Sequence, residues 1–408
     1  MNIVGIIFGF MLILILNYRD INLGFSIILG AIIGGLLSGI ALLRLPQILL
    51  FTLRENTTIR LALMMILISG LGYILEQNDD LNIMVNSFLK IFNSSKPLII
   101  IFPSLIATLS VPGGAILSAP MVDKSGDKIE LSYANKTASN LFYRHIFFLV
   151  YPLYPSLIVA ADLFDVHEFS LIKYNILITL VGLVVAYFMF FYNNDSKILV
   201  KENRVNINYF QEIRQILLSL SPIIIVLVLS LIFNVQFVIS LFVATIWGFF
   251  KYLYKHKRDY KIIYNYFTNG INYNLVAVII GVMIFKNVVE ISGFSSIIAN
   301  LLNQIGLPLI MIIPVLGLVV SFFLGSNIAA LGILAPIFIP LFPANNLAPY
   351  LSFLFISTYI GYNLSPIHLC LVLTKEYFDI SYFETYSKLV IPFVAMLFAA
   401  ILQFLYLS

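Results

Sequence analysis

The chain has 408 residues, of which 61% are hydrophobic and only 10% charged, and its mean hydropathy is +1.01. Soluble domains carry roughly 25% charged residues, so this composition excludes a water-soluble globular protein and calls for the bilayer as solvent. The net charge of +4 matters less than the side on which each charge falls, and the single cysteine, Cys370, excludes an intramolecular disulfide or a multi-cysteine metal site.

Met1 to Tyr18 has no basic residue before its apolar run and no small-residue cleavage site after it, so it reads as a first transmembrane helix. A crossing helix needs about 20 mostly apolar residues. Such stretches lie near 2–18, 23–44, 57–77, 138–163 and 169–192. After a polar connector at 194–213 they resume near 214–233, 235–254, 268–289, 349–374 and 385–407. Two further apolar stretches, 97–122 and 307–343, are interrupted by Pro112-Gly113-Gly114 and Gly325-Ser326-Asn327. A leg of about 13 residues rises only about 20 Å, so both are expected to be re-entrant hairpins.

The second half echoes the first. Pro97 and Pro103 bracket five residues, as do Pro308 and Pro314. Ser110 stands ten residues before Pro120 and Ser326 ten before Pro336, and Phe164-Asp165-Val166 returns as Phe378-Asp379-Ile380. Weak internal symmetry with interrupted apolar segments at matching places marks a secondary transporter built from two repeats. The expected fold is an all-α polytopic membrane protein with repeats at 1–193 and 214–408. Each repeat holds five spans and one hairpin, and the odd number inverts the second. Lys90, Lys96, Lys124, Lys128 and Lys136, the connector's Lys197, Lys201 and Arg204, Arg214, and the cluster from Lys251 through Arg258 to Lys261 then share one side, the cytoplasm. Arg44, Arg54 and Arg60 fall outside against that rule, and both termini are external.

The hairpin tips are the first candidates for chemistry. Pro112, Gly113, Gly114, Ser326 and Asn327 would offer free backbone groups and helix ends whose partial charges attract ions, or else serve as packing kinks. The spans that follow are broken by proline, at Tyr151-Pro152-Leu153-Tyr154-Pro155-Ser156 and at Tyr362-Asn363-Leu364-Ser365-Pro366-Ile367-His368. Unwound carbonyls there can meet a cation. Ser326, Asn327 and Asn363 are candidate ligands for Na+, with Ser365 nearby. Arg144 and His145 stand inside a span. Arg144 reads as a substrate grip or as a side chain snorkelling to the interface. His145 and His368 read as proton carriers or as packing groups. Lys286 and Glu290 read as an interfacial pair, and most of Asp162, Asp165, Glu376 and Asp379 as solvated.

With these elements in place the chain resembles the ion transporter superfamily, which includes gluconate permeases, divalent-anion/sodium symporters and the membrane subunits of binding-protein-dependent carboxylate transporters. Within it the chain is most similar to a prokaryotic membrane family known as domain of unknown function four hundred and one. Three segments carry the likeness: Pro112 to Met121, Tyr143-Arg144-His145 with Tyr151 to Pro155, and Ser365 to Thr374 with Glu376-Tyr377-Phe378. The resemblance implies paired hairpins, substrate and cation near the midplane, and an elevator-like or rocking movement. The Ser-Asn-Thr hairpin signature of the sodium-coupled members survives only as Ser326-Asn327, which sets the first hairpin apart.

The reading is a secondary active transporter of a small organic anion of carboxylate type, coupled to Na+ or H+ and without a cofactor, in a prokaryotic cytoplasmic membrane. Its partners are the anion, the bilayer and a second copy in a homodimer, and not nucleic acid. A channel, or the membrane half of a binding-protein-dependent system, is the alternative. An intramembrane enzyme is disfavoured, because no His-Glu-x-x-His, Gly-x-Ser-x-Gly or Gly-x-Gly-Asp element occurs.

Overall fold

The computed structural model describes residues 2–92, 94–107, 115–192, 208–257 and 259–407, and every regular element among them is helical. The chain opens with α1 (Asn2–Tyr18) and α2 (Leu23–Leu37), packed so closely that a Cβ on Gly9 would lie 2.5 Å from the Gly30 carbonyl oxygen. α2 stops at Leu37 and does not run to residue 44. The Ser38 hydroxyl donates to the Gly34 carbonyl at 2.7 Å, and Gly39 takes a left-handed φ of 94°. A 3-10 turn (Leu42–Arg44) then leads into α3 (Leu45–Arg54). Next come α4 (Asn56–Gln77), α5 (Asp80–Ile91), the two hairpin legs α6 (Ser95–Ala107) and α7 (Ala115–Asp127), the broken span α8 (Tyr133–Ile146) and α9 (Pro155–Leu163), and α10 (Glu168–Phe191).

The second half runs α11 (Tyr209–Ser219), α12 (Ser221–Leu231), α13 (Phe237–Lys255), α14 (Lys261–Asn265) with a π-helical turn, and α15 (Tyr273–Ile291). It continues with α16 (Phe294–Ile305), the hairpin α17 (Leu309–Leu324) and α18 (Asn327–Phe338), the broken span α19 (Leu347–Leu364) and α20 (Leu369–Tyr377), and α21 (Tyr382–Leu407). The span expected at 214–233 is two helices bent by 65°, with Pro222 opening the second. Six described segments are long and apolar enough to cross a bilayer, or seven with that bent pair. α1 covers the expected 2–18 and α2 only part of the expected 23–44, and both fall among the shorter apolar helices, not among those long enough to cross by themselves. Most of the connector expected at 194–213, with Lys197, Lys201 and Arg204, lies outside the described residues, as does Arg258.

From α4 to α10 and from α15 to α21 the element order is the same. α5 and α16 were not foreseen. Both are amphipathic: Leu81, Met84, Val85 and Phe88 recur as Phe294, Ile297, Ile298 and Leu301, offset by 213 (294 minus 81). A residue with left-handed φ precedes each, Asp79 at 63° and Gly293 at 72°. The Asp165 and Asp379 echo is also a matched turn. Both residues are left-handed, and the next amide closes a six-residue cap, Val166 to the Ala161 carbonyl at 2.8 Å and Ile380 to Lys375 at 3.2 Å.

Polar pairs gather at the two ends of α4. At one end Lys251 meets Asp80 at 2.8 Å, Lys90 meets Glu212 at 2.8 Å, and Lys255 donates to the Asn78 carbonyl at 2.7 Å. At the other, Arg60 pairs with Asp162, and Lys286 lies 3.7 Å from Glu55 and 3.8 Å from Glu290. Asp165, Glu376 and Asp379 are exposed, whereas the Asp162 carboxylate is buried in its pair with Arg60.

Candidate functional site

The breaks in the helices position the site. Pro152 and Pro155 cannot continue α8, so the chain unwinds between Val150 and Tyr154 before α9 restarts with Pro155 as its first residue. Pro366 does the same between α19 and α20. In the second hairpin Gly325 ends α17 with a left-handed φ of 59°. Ser326 is extended, and its hydroxyl accepts from the Ala329 amide at 3.3 Å, which starts α18 at Asn327. A Cβ on Gly325 would lie 2.7 Å from Ile367 Cγ1 and 3.4 Å from Ser365 Oγ, so the hairpin tip sits directly on the α19–α20 break.

These discontinuities meet in one cavity of about 340 Å³. Its wall takes Arg144 and His145 from α8, Tyr154 and Ser156 from the first break, and Ser326 and Asn327 from the hairpin tip. Tyr362, His368 and Cys370 come from the second break. Tyr154 and His368 are 214 residues apart (368 minus 154), as are Ser156 and Cys370, so equivalent positions of the two halves face one space. Ala107, the last described residue before the first hairpin tip, is also on the wall; Pro112, Gly113 and Gly114 lie outside the described residues. Asn363 and Ser365 are fully buried within the second break and are not on the wall. The Asn363 amide donates to the Tyr359 carbonyl at 2.8 Å, which leaves its oxygen unpaired.

Arg144 is the one permanently charged side chain on the wall, and among the described residues no carboxylate lines it. Arg144 is 3% exposed, its Nε and Nη1 have no hydrogen-bond partner, and no ion pair among the described residues includes it. Its head group therefore lies inside the protein and not on its surface. Asn327 faces the Tyr154 phenol, yet neither of its amide atoms makes a hydrogen bond of good geometry. The N-terminal amides of α18 open beside it, adding positive partial charge. His145 Nδ1 and the Leu141 carbonyl are 2.7 Å apart, and its ring meets that of His368 edge-on at 4.8 Å.

Asn140 was missed in the sequence. Fully buried one turn before Arg144, its amide donates to the Ala115 carbonyl at 3.0 Å and to Thr374 Oγ1 at 3.2 Å, joining α8 to the first hairpin and to α20. No pattern in the sequence singles out this asparagine. Cys370 drew attention only for what a single cysteine excludes. A second cavity of about 310 Å³ at one end of the molecule is lined by Arg60, Asp162, His167 and Glu168, whose charges already meet one another.

The sequence matches the family described as protein of unknown function, DUF401, over residues 2–407, and the chain belongs to that family. No curated protein matches it. Its fold is similar to that of the Alcanivorax borkumensis YdaH transporter, whose crystal structure was described as revealing an unusual topology. The TM-score is 0.62 at 15% identity, over 90% of this chain and 88% of that one.

Proposed function

We propose that this member of the DUF401 family is a secondary active transporter of a small organic anion of carboxylate type, driven by Na+ or H+, and not an enzyme. The observation that carries the reading is Arg144, a buried guanidinium that has no carboxylate partner among the described residues and stands on a cavity wall to which they contribute no acid. On insertion scales an arginine at the centre of a crossing helix costs roughly 2.5–3.5 kcal/mol. An anionic ligand is the counter-charge that would offset this cost. Asn327, Ser326, Ser156 and the amides of α18 supply neutral donors and acceptors around the same space. Ser326, Asn327 and the unpaired Asn363 oxygen are the oxygen donors proposed for Na+. Similarity of fold to a transporter supports the class of activity.

In this reading the halves are inverted repeats, the basic end around Lys90 and Lys251 faces the cytoplasm, and access alternates around the cavity. The test is counterflow. Purified protein in liposomes preloaded with one organic acid should accumulate the labelled acid, with a dependence on Na+ or on pH that names the coupling ion. A bound anion at a hundred times its dissociation constant should also stabilise the protein by about 2.7 kcal/mol in a thermal-shift screen. A broad set of carboxylates that gave neither stabilisation nor counterflow would overturn the proposal.

A further inference from the structure

The same cavity holds a second group of residues to which the anion-binding reading assigns no part. His145, His368 and Cys370 are all buried, and the donor atoms of the three lie within 4.8 Å of one another. We propose that they form a binding site for a thiophilic divalent cation of the zinc class.

The donor set is one sulfur and two imidazole nitrogens. That combination suits Zn2+ or Co2+ and not the oxygen-seeking Na+, Mg2+ or Ca2+. Zinc bonds of about 2.0–2.1 Å to nitrogen and 2.3 Å to sulfur put two nitrogens about 3.3 Å apart and a nitrogen and a sulfur about 3.6 Å apart in a tetrahedral site. The side chains thus have to close by at most about 1.5 Å, within reach of a torsional adjustment.

Two independent features point to a ligand. His145 carries its Nδ1 hydrogen against the Leu141 carbonyl, 2.7 Å away. That contact orients the ring and leaves the Nε2 lone pair free, as the outer hydrogen bond of a metal-bound histidine does. His368 is 2% exposed; its ring faces the Asn363 backbone carbonyl, yet neither nitrogen makes a hydrogen bond of good geometry. A buried polar group left so is costly, and a metal bond would offset that cost. Packing alone accounts for the edge-on contact of His145 with His368 and for the Tyr362 ring 4.0 Å from His368, but not for the unused nitrogens.

The site draws on both halves, His145 from α8 and His368 and Cys370 from the second break, and it has no symmetric counterpart. The positions equivalent to His368 and Cys370 are Tyr154 and Ser156, which offer no comparable ligands. Arg144 is close enough to repel a bare cation. The Cys370 thiol loses its proton on binding metal, however, so the thiolate meets part of the added charge. Three protein ligands leave a fourth position, and the surrounding wall, with Arg144 on it, favours an anionic occupant.

The experiment uses full-length protein without a polyhistidine tag, stripped with a chelator in detergent and titrated with Co2+ alone. One Co2+ per chain should bind, with visible bands of tetrahedral type and a thiolate-to-cobalt charge-transfer band that Zn2+ abolishes by displacement. Cys370→Ser should remove the charge-transfer band, and His368→Gln and His145→Gln should each weaken binding about tenfold or more. Each variant is checked by its thermal unfolding midpoint without metal, so that loss of the fold is not mistaken for loss of a ligand. No Co2+ above the buffer background, or binding that survives in the Cys370→Ser, His368→Gln double variant, overturns the site. No organic anion is added, so the result stands apart from the outcome of the counterflow experiment.

Discussion

At the scale of single residues, the decisive property of Arg144 is its planar guanidinium. Two parallel hydrogen bonds to a carboxylate are open to it and not to a lysine, which is a point charge. Arg144→Lys should therefore express and fold normally while its apparent substrate constant in uptake rises by about 10- to 100-fold, the worth of about 1.5–3 kcal/mol for a hydrogen bond to a charged group. An unchanged constant would assign anion binding to backbone and hydroxyl groups alone. Gly325 carries a different kind of constraint. Its φ of 59° costs a residue with a Cβ about 1–2 kcal/mol, and that Cβ would also meet Ile367 at 2.7 Å. Gly325→Ala should lower the thermal midpoint, and adding Ile367→Ala should restore only the steric part. Full recovery in the double variant would show that the left-handed backbone is not the constraint. Gly325, Ser326 and Asn327 were legible as an interruption in an apolar run, and Arg144 as a charge where charges are rare. The grouping of Cys370 with His145 was not legible, because it depends on where the α19–α20 break sets the chain down, more than two hundred residues after α8.

At the scale of elements, the short amphipathic helices α5 and α16 explain how each hairpin is hung from the helix before it. Neither is apolar enough to register as a span, and the search for spans passed over their one-sided periodicity. The long helices, both hairpins and the proline breaks were legible because apolar length and proline act locally. The early end of α2 and the 65° bend before α12 were not, because a serine bonding back to a carbonyl and a proline at a helix start leave the hydropathy profile unchanged. α5 is held at its start by Asp80, whose carboxyl burial pushes upward from its ordinary range while Lys251 opposes the shift. Removing the amine strands a charge that is only 4% exposed. Lys251→Met should cost about 3 kcal/mol, at the low end for a buried pair because Lys251 itself keeps 23% exposure. Asp80→Asn added to Lys251→Met should recover much of that loss in thermal unfolding. Equal midpoints for the single and double variants would show that the stranded carboxylate is not the cause.

At the scale of the whole molecule, the helices pack as two groups. The hairpins and broken spans, α6 to α10 and α17 to α21, interlock across the repeats: α7 lies on α20, α9 on α18 and α10 on α21. The remaining helices cross over in the same way, α2 packing on α15 and α13 on α4. The groups meet most closely where α15 lies on α18, with smaller contacts of α4 on α9, α16 on α18 and α5 on α6. The equivalent pairings, α4 with α7 and α15 with α20, make marginal contact at most. Equivalent elements of the two halves thus hold unequal positions, as expected for one end state of an alternating movement. Arg60 and Asp162 bridge α4 and α9 and so tie the two groups at one end, whereas Glu376, the equivalent of Asp162 (376 minus 162 is 214), is exposed. If transport requires one group to move past the other, this ion pair must part in every cycle. Cysteines placed at 60 and 162 should be bridged by a short thiol-reactive linker that carries its own disulfide and replaces the reach of the arginine, and the linked protein in liposomes should bind anion but lose counterflow. Reduction should restore the rate of the unlinked double variant. Counterflow that continued undiminished with the disulfide closed would rule out relative movement at the α4–α9 contact and require an access path that leaves these two helices together.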